Sequence, residues 1–136
     1  MNVQQIHRNE AGLIGKIIVL WLLIVGVFGV AVVDAASIAF AHFRLDDAAQ
    51  VAAVIAATNF QNTHDATSAC QAAQQSVQTQ SPDALFPENF CKVDRGTGAV
   101  TITLKKTAGT LLAGRLSFTR DYTHVVVKET GRPGDV

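Results

Sequence analysis

The sequence predicts an α+β protein: one long N-terminal helix, membrane-embedded at its start, with a small antiparallel three-stranded sheet packed on its outer half. Three observations predict it. Residues Ile17 to Val33 read IIVLWLLIVGVFGVAVV, seventeen positions without a charge or a strongly polar side chain. No Pro or Gly interrupts the chain from Val30 to Phe60, so the apolar run continues as helix. After Cys91 the pattern changes to period two: Val100, Ile102 and Leu104 alternate with Thr101, Thr103 and Lys105, as in a half-buried strand.

The apolar run sets the first boundary. Counted from Leu13 to Val33 it is interrupted only by Lys16. At 1.5 Å per residue these positions span roughly 31 Å, the thickness of a hydrocarbon core. Lys16 lies about one turn inside the edge, where its stem carries the ammonium back to the headgroups. A cleaved secretory signal is the competing reading, with small residues at Ala35-Ala36-Ser37. Its apolar region is usually about 7–15 residues, shorter than this one. A buried helix of a soluble protein fits less well, because the remaining residues cannot cover all its faces.

Arg8 and Lys16 flank the run on its N-terminal side, and Arg44 is the one cation near the other end. That bias keeps the N-terminus in the cytoplasm and puts the rest outside. The two cysteines, Cys70 and Cys91, both follow the span and suit a disulfide in an oxidising compartment. In the chain-entropy model, closing a loop of that size stabilises the fold by roughly 3 kcal/mol. Two unpaired thiols are the alternative. A zinc site would need further ligands, and His7, His42, His64 and His124 show no ligand spacing.

Residues 1–12 form a short, polar, mobile cytoplasmic segment in this reading. Residues 13–33 are the transmembrane helix, 34–60 its extracytoplasmic continuation, and 61–136 a small disulfide-bonded α+β domain. In the continuation Ile38, Ala41, Leu45, Ala48, Ala52 and Ile55 recur at three- and four-residue spacings and form an apolar stripe. Arg44, Asp46, Asp47 and Gln50 lie away from it. Residues 65–78, DATSACQAAQQSVQ, predict a second helix with Asp65 as N-cap or first-turn residue. Pro82 and Pro87 mark a loop. Residues CKVD and AVTITLKKT flank Arg95-Gly96-Thr97-Gly98 and predict a hairpin, with YTHVVVKET as the last strand. The intervening AGTLLAGRLSFTRD reads as a loop with an apolar middle or a short helix. Three strands cannot stand alone, so the apolar stripe is the surface expected to cover them.

This pattern resembles the TadE/TadG-like proteins of tight-adherence pilus assembly, which are pilin-like. Val33-Asp34 at the end of the span, Phe40, Arg44-Leu45, Asp47 and the alanines from Ala48 to Ala57 carry the resemblance, with VTITL and TLLAGRL in the C-terminal half. It covers about Arg8 to Glu129. It implies a structural or assembly component of an envelope-spanning pilus or secretion system, contacting lipid and other subunits through its helix. The chain departs from the family at one point. A glutamate usually begins the apolar run, five residues after a peptidase cleavage point. Cleavage after Gly12 would put Ile17 there, beside Lys16, whose charge would repel a new amino terminus. Residues 1–12 are therefore expected to stay attached.

Gly26, Gly29, Ala31, Asp34 and Ala35 are the candidate helix–helix contacts, small residues that allow close approach in lipid, plus an acid at the membrane face. Gly and Ala are common in such spans, and Asp34 equally suits a wet position among headgroups. Trp21 stands mid-span, where it can meet a partner helix. His42 with Asp46, and His64 with Asp65, read as solvated pairs. No nucleophile–base arrangement, phosphate loop or paired-acid cleft can be assembled, so neither an enzyme, a cofactor nor a small-molecule substrate is expected. Eleven cations balance eleven acids without a basic stripe, which argues against a nucleic-acid partner. A different function class, an accessory single-pass subunit of a large membrane complex, fits the same features. A tethered binding module fits them less well.

Overall fold

The structure, a computed structural model, describes the backbone of residues 3–135 and the side chains of residues 12–135. Helix α1 runs from Val3 to Thr63, 61 residues and roughly 90 Å at the α-helical rise. It starts earlier than the Leu13 expected from hydropathy, so the polar residues from Val3 to Gly12 are helical rather than a loose segment. The physical reason is local: Gln4, Gln5, Arg8, Glu10 and Ala11 all favour helix, and no Pro opposes them. Met1 and Asn2 of that segment lie outside the described residues, as does the side chain of Arg8. From Leu13 to Val33 the large apolar side chains of α1, Val30 apart, are exposed within the chain. The helix is thus long and apolar enough to cross a membrane as a single pass.

Helix α1 ends at His64, which takes the left-handed conformation at φ 55°, while its N–H donates to the Phe60 carbonyl at 2.8 Å. Helix α2, Ala66–Gln80, begins one residue after Asp65. The Asp65 carboxylate accepts from the Thr67 and Ser68 N–H groups at 3.0 and 3.2 Å, the capping expected of it. Helix α2 buries Ala69, Ala73 and Val77, spaced by four, against α1.

The sheet is a meander in the order β1-β2-β3, all antiparallel. Strand β1 is Cys91–Val93, β2 Val100–Thr107 and β3 His124–Gly131. Asp94 makes the β1–β2 turn: its carboxylate accepts from the Gly96 N–H and the Thr97 hydroxyl, both at 2.9 Å. Gly98, at φ 71°, supplies the left-handed residue this turn requires. Register sets Leu104 opposite Val127 and Val100 opposite Gly131, so β2 and β3 turn one common face to α1. Val100, Ile102, Leu104, Val125 and Val127 are buried there.

Small residues govern the meeting of helix and sheet. Around Leu45, the buried arc of α1 is almost wholly alanine, from Ala41 to Ala57, closing on Phe60. At Gly131 a Cβ would stand 2.5 Å from the Ala53 carbonyl carbon and the Val54 nitrogen. The end of β3 therefore lies on the helix backbone itself. The buried arc is also wider than a single stripe, because α2 and the sheet occupy adjacent sides of α1. It adds Ala49, Ala53, Ala56 and Ala57 to the expected set.

Two details correct the sequence reading. Ile55 is 40 % exposed and lies beyond the edge of the arc rather than under the sheet. Asp46 is half-buried, on the side of α1 that faces Glu129 of β3. Glu129 is drawn inward by register opposite Ile102. Burial first, and the neighbouring Asp46 carboxylate second, push its carboxyl above the usual range.

Gly131→Ala is expected to destabilise the domain by about 1–3 kcal/mol, because the contact is with backbone and only strand or helix can move. Leu45→Asp buries an unpaired charge and is expected to abolish the cooperative transition. Ile55→Asp is expected to leave it nearly unchanged. Thermal denaturation of the three variants, followed by circular dichroism, checks all of this.

Candidate functional site

The most elaborate polar arrangement in the chain is where α1 leaves the apolar run. Asp34, the first residue after it, is only 5 % exposed. It is covered by the connection between β2 and β3, residues 108–123, which descends along α1 toward the apolar segment. The Asp34 carboxylate accepts three successive backbone N–H groups, from Leu111 at 2.6 Å, Leu112 at 2.9 Å and Ala113 at 2.8 Å. Three convergent amides form an anion-binding concavity, and hydrogen bonds to a carboxylate are stronger than neutral ones. About one turn further along α1, the Ser37 hydroxyl donates to the Gly109 carbonyl. The Leu111 N–H, ahead of the other two amides and against the opposing cost of burial, holds the Asp34 carboxyl below the usual carboxylate range.

The connection is itself a compact loop with its ends together. The Ala108 N–H donates to the Thr123 carbonyl at 2.8 Å across its neck. Inside it, the Thr110 hydroxyl oxygen accepts from the Gly114 N–H at 2.9 Å, and the Thr119 hydroxyl donates to the Ala113 carbonyl at 2.6 Å. A short 3-10 turn, Arg120–Thr123, leads into β3. With its polar backbone tied inward, the loop turns Leu111, Leu112, Leu116, Phe118 and Tyr122 outward, and all five are exposed. An open apolar groove of about 370 Å³ separates loop from helix. Val27, Ala31 and Ile38 line it on one side, Leu112, Leu116 and Tyr122 on the other.

The sequence-predicted residues fall in four places. Asp34, Ala31 and Ala35 come together at this groove. Gly26 and Gly29 lie deeper on α1, and a Cβ at either would meet nothing of the chain within 4 Å. Lys16 is exposed near the other end of the apolar run. Cys70 and Cys91 are joined, with Cα atoms 5.8 Å apart, tying α2 to β1 on the far side of the domain. The loop's tie to Asp34 was not legible in the sequence. An acid seventy-seven residues before its partner amide has no local signal, although the apolar TLL and RLSF of an otherwise polar connection is a partial one. Among the described residues no three His, Cys, Asp or Glu side chains cluster as metal ligands would. No protein-family model, no curated protein and no solved structure matches the chain.

Asp34→Ala leaves three amides without their acceptor. Hydrogen exchange in residues 109–119 at neutral pH is expected to accelerate about tenfold or more, while strand amides keep their protection. The sign with pH follows from the lowered carboxyl. The tether is complete above the ordinary carboxylate range and is lost only as pH falls through the lower folded-state value.

Proposed function

We propose that this chain is a pilin-like, TadE-like structural or assembly subunit of an envelope-spanning pilus or secretion system. In this reading residues 13–33 anchor it in the cell membrane, the N-terminus is cytoplasmic, and the disulfide-bonded domain is extracytoplasmic. The work of such a subunit is contact rather than chemistry. The observation that carries the reading is a pair of exposed phenylalanines on α1, just outside the anchor. Phe40 is 67 % and Phe43 71 % exposed, with the charged Arg44 and Asp47 exposed beside them. Large aromatic side chains facing water on a rigid stalk, directly above an anchor with open Gly26 and Gly29, suit lateral contact with a neighbouring subunit. The sequence resemblance to TadE-like proteins adds to this reading. An accessory subunit of a large membrane complex would use the same two phenylalanines against a different neighbour.

Orientation is tested with a membrane-impermeant thiol reagent on intact cells. Cys70 and Cys91 are expected to be unreactive until a reductant is added, and then to label from outside. Labelling only after lysis would reverse the topology. Assembly is tested with a photo-crosslinking residue in place of Phe43 in native membranes. A ladder of multiples of the chain is expected for a self-assembling subunit. One discrete heavier product favours the accessory reading, and recovery of the uncrosslinked chain alone refutes both.

A further inference from the structure

We infer that the β2–β3 loop is a second membrane contact: it seats Leu111, Leu116, Phe118 and Tyr122 in the outer headgroup–acyl boundary, beside the anchor. The inference rests on the anchored reading of residues 13–33, and adds to it a fixed height and tilt of the domain over the bilayer. The occupant is phospholipid, and depth along α1 identifies it. Leu112, Leu116 and Tyr122 share a groove with Val27 and Ala31. Val27 lies seven residues before Asp34, hence about 10 Å closer to the bilayer centre along the axis. Side chains flanking the helix at that level are at or below the hydrocarbon edge, where their neighbours outside the chain are lipid.

Irregular backbone is normally excluded from that depth, because its unpaired amides cost too much without water. Here the amides nearest the helix meet that requirement in advance. Asp34 takes the Leu111, Leu112 and Ala113 N–H groups, Thr110 takes that of Gly114, and the Leu112 carbonyl takes that of Arg115 at 2.9 Å. The carbonyl of Ala113 is satisfied by Thr119. Outward from this paired backbone the loop exposes apolar side chains, with Phe118 at 75 % and Tyr122 at 74 %. Two cations, Arg115 and Arg120, are exposed in the same loop, with Asp121 as its one acid. Aromatic rings with nearby arginines, the rings at the acyl boundary and the guanidinium groups reaching up to phosphates, are the composition of an interfacial anchor.

The test uses tryptophan emission in the full chain, reconstituted in liposomes containing phospholipids brominated on the acyl chain. The native chain has one tryptophan, Trp21, inside the apolar run, and its emission is expected to be lost to lipids brominated deep in the acyl chain. In a Trp21→Phe background, Phe118→Trp is expected to give blue-shifted emission, lost to lipids brominated near the glycerol end and insensitive to aqueous iodide. Tyr122→Trp gives an independent reading of the same loop. Val126→Trp, on the sheet face turned from the helix, is expected to do the opposite. Quenching of the position-118 indole by iodide and not by bromolipid overturns the inference. So does protection from both quenchers, which would mean that protein, a second copy or another subunit, covers the loop. Failure of Trp21 itself to be quenched by bromolipid removes the anchor, and this inference with it. Trp21 quenched with position 118 in water removes this inference alone.

Discussion

Everything outside the apolar run depends on how closely the rest of the chain can approach the backbone of α1. The helix offers alanine where most amphipathic helices offer leucine, so α2 and the sheet settle almost onto its main chain. Gly131 is the extreme of this contact, with no room for a single carbon between β3 and the peptide bond of Ala53 and Val54. Close packing of this kind gives many short contacts per side chain and little tolerance for added volume. Two larger side chains, Leu45 and Phe60, stand at points along the alanine face. The disulfide adds a covalent tie between α2 and β1.

Once the sheet is fixed on α1, the β2–β3 connection has one direction to run. It leaves β2 at Thr107, returns as β3 at His124, and both ends point along the helix toward the apolar run. Asp34 then turns a direction into a position. A carboxylate beside an apolar segment is expensive to desolvate, and free amides in a loop at the same level are equally so. Each supplies what the other lacks. The anchor and the domain are thereby coupled at two points, the continuous helix and the Asp34–loop tie. Two points of attachment restrain the domain against tilting more than a single helical joint would.

The domain faces three environments. Its sheet buries one face on α1 and leaves Val126 and Lys128 in water. The back of the stalk presents Phe40 and Phe43, both exposed within the chain. The loop turns Phe118 and Tyr122 toward the level at which the helix becomes wholly apolar. Sites of contact are harder to recognise in sequence than catalytic ones, because they use the same leucines, alanines and phenylalanines that build cores.

By itself the sequence determined the elements: a helix long and apolar enough to cross a membrane, the Asp65 cap of α2, the hairpin turning at Arg95–Gly98, the alternation of β2 and the even cysteine pair. Each follows from interactions within a few residues, or from a period that one face of one element imposes. The stripe on α1 was legible in part, since Leu45 and Ala48 face inward as their spacing requires. Ile55 does not, because the width of the buried arc depends on how many neighbours α1 has, and that number belongs to the fold. Tertiary structure alone decided the role of Asp34. Its partners lie seventy-seven to seventy-nine residues away and are backbone amides, which carry no residue identity, so no pattern of side chains could announce them. The same holds for Gly131, an ordinary strand-end glycine in the sequence, which becomes indispensable only because the helix backbone lies 2.5 Å from where its side chain would begin.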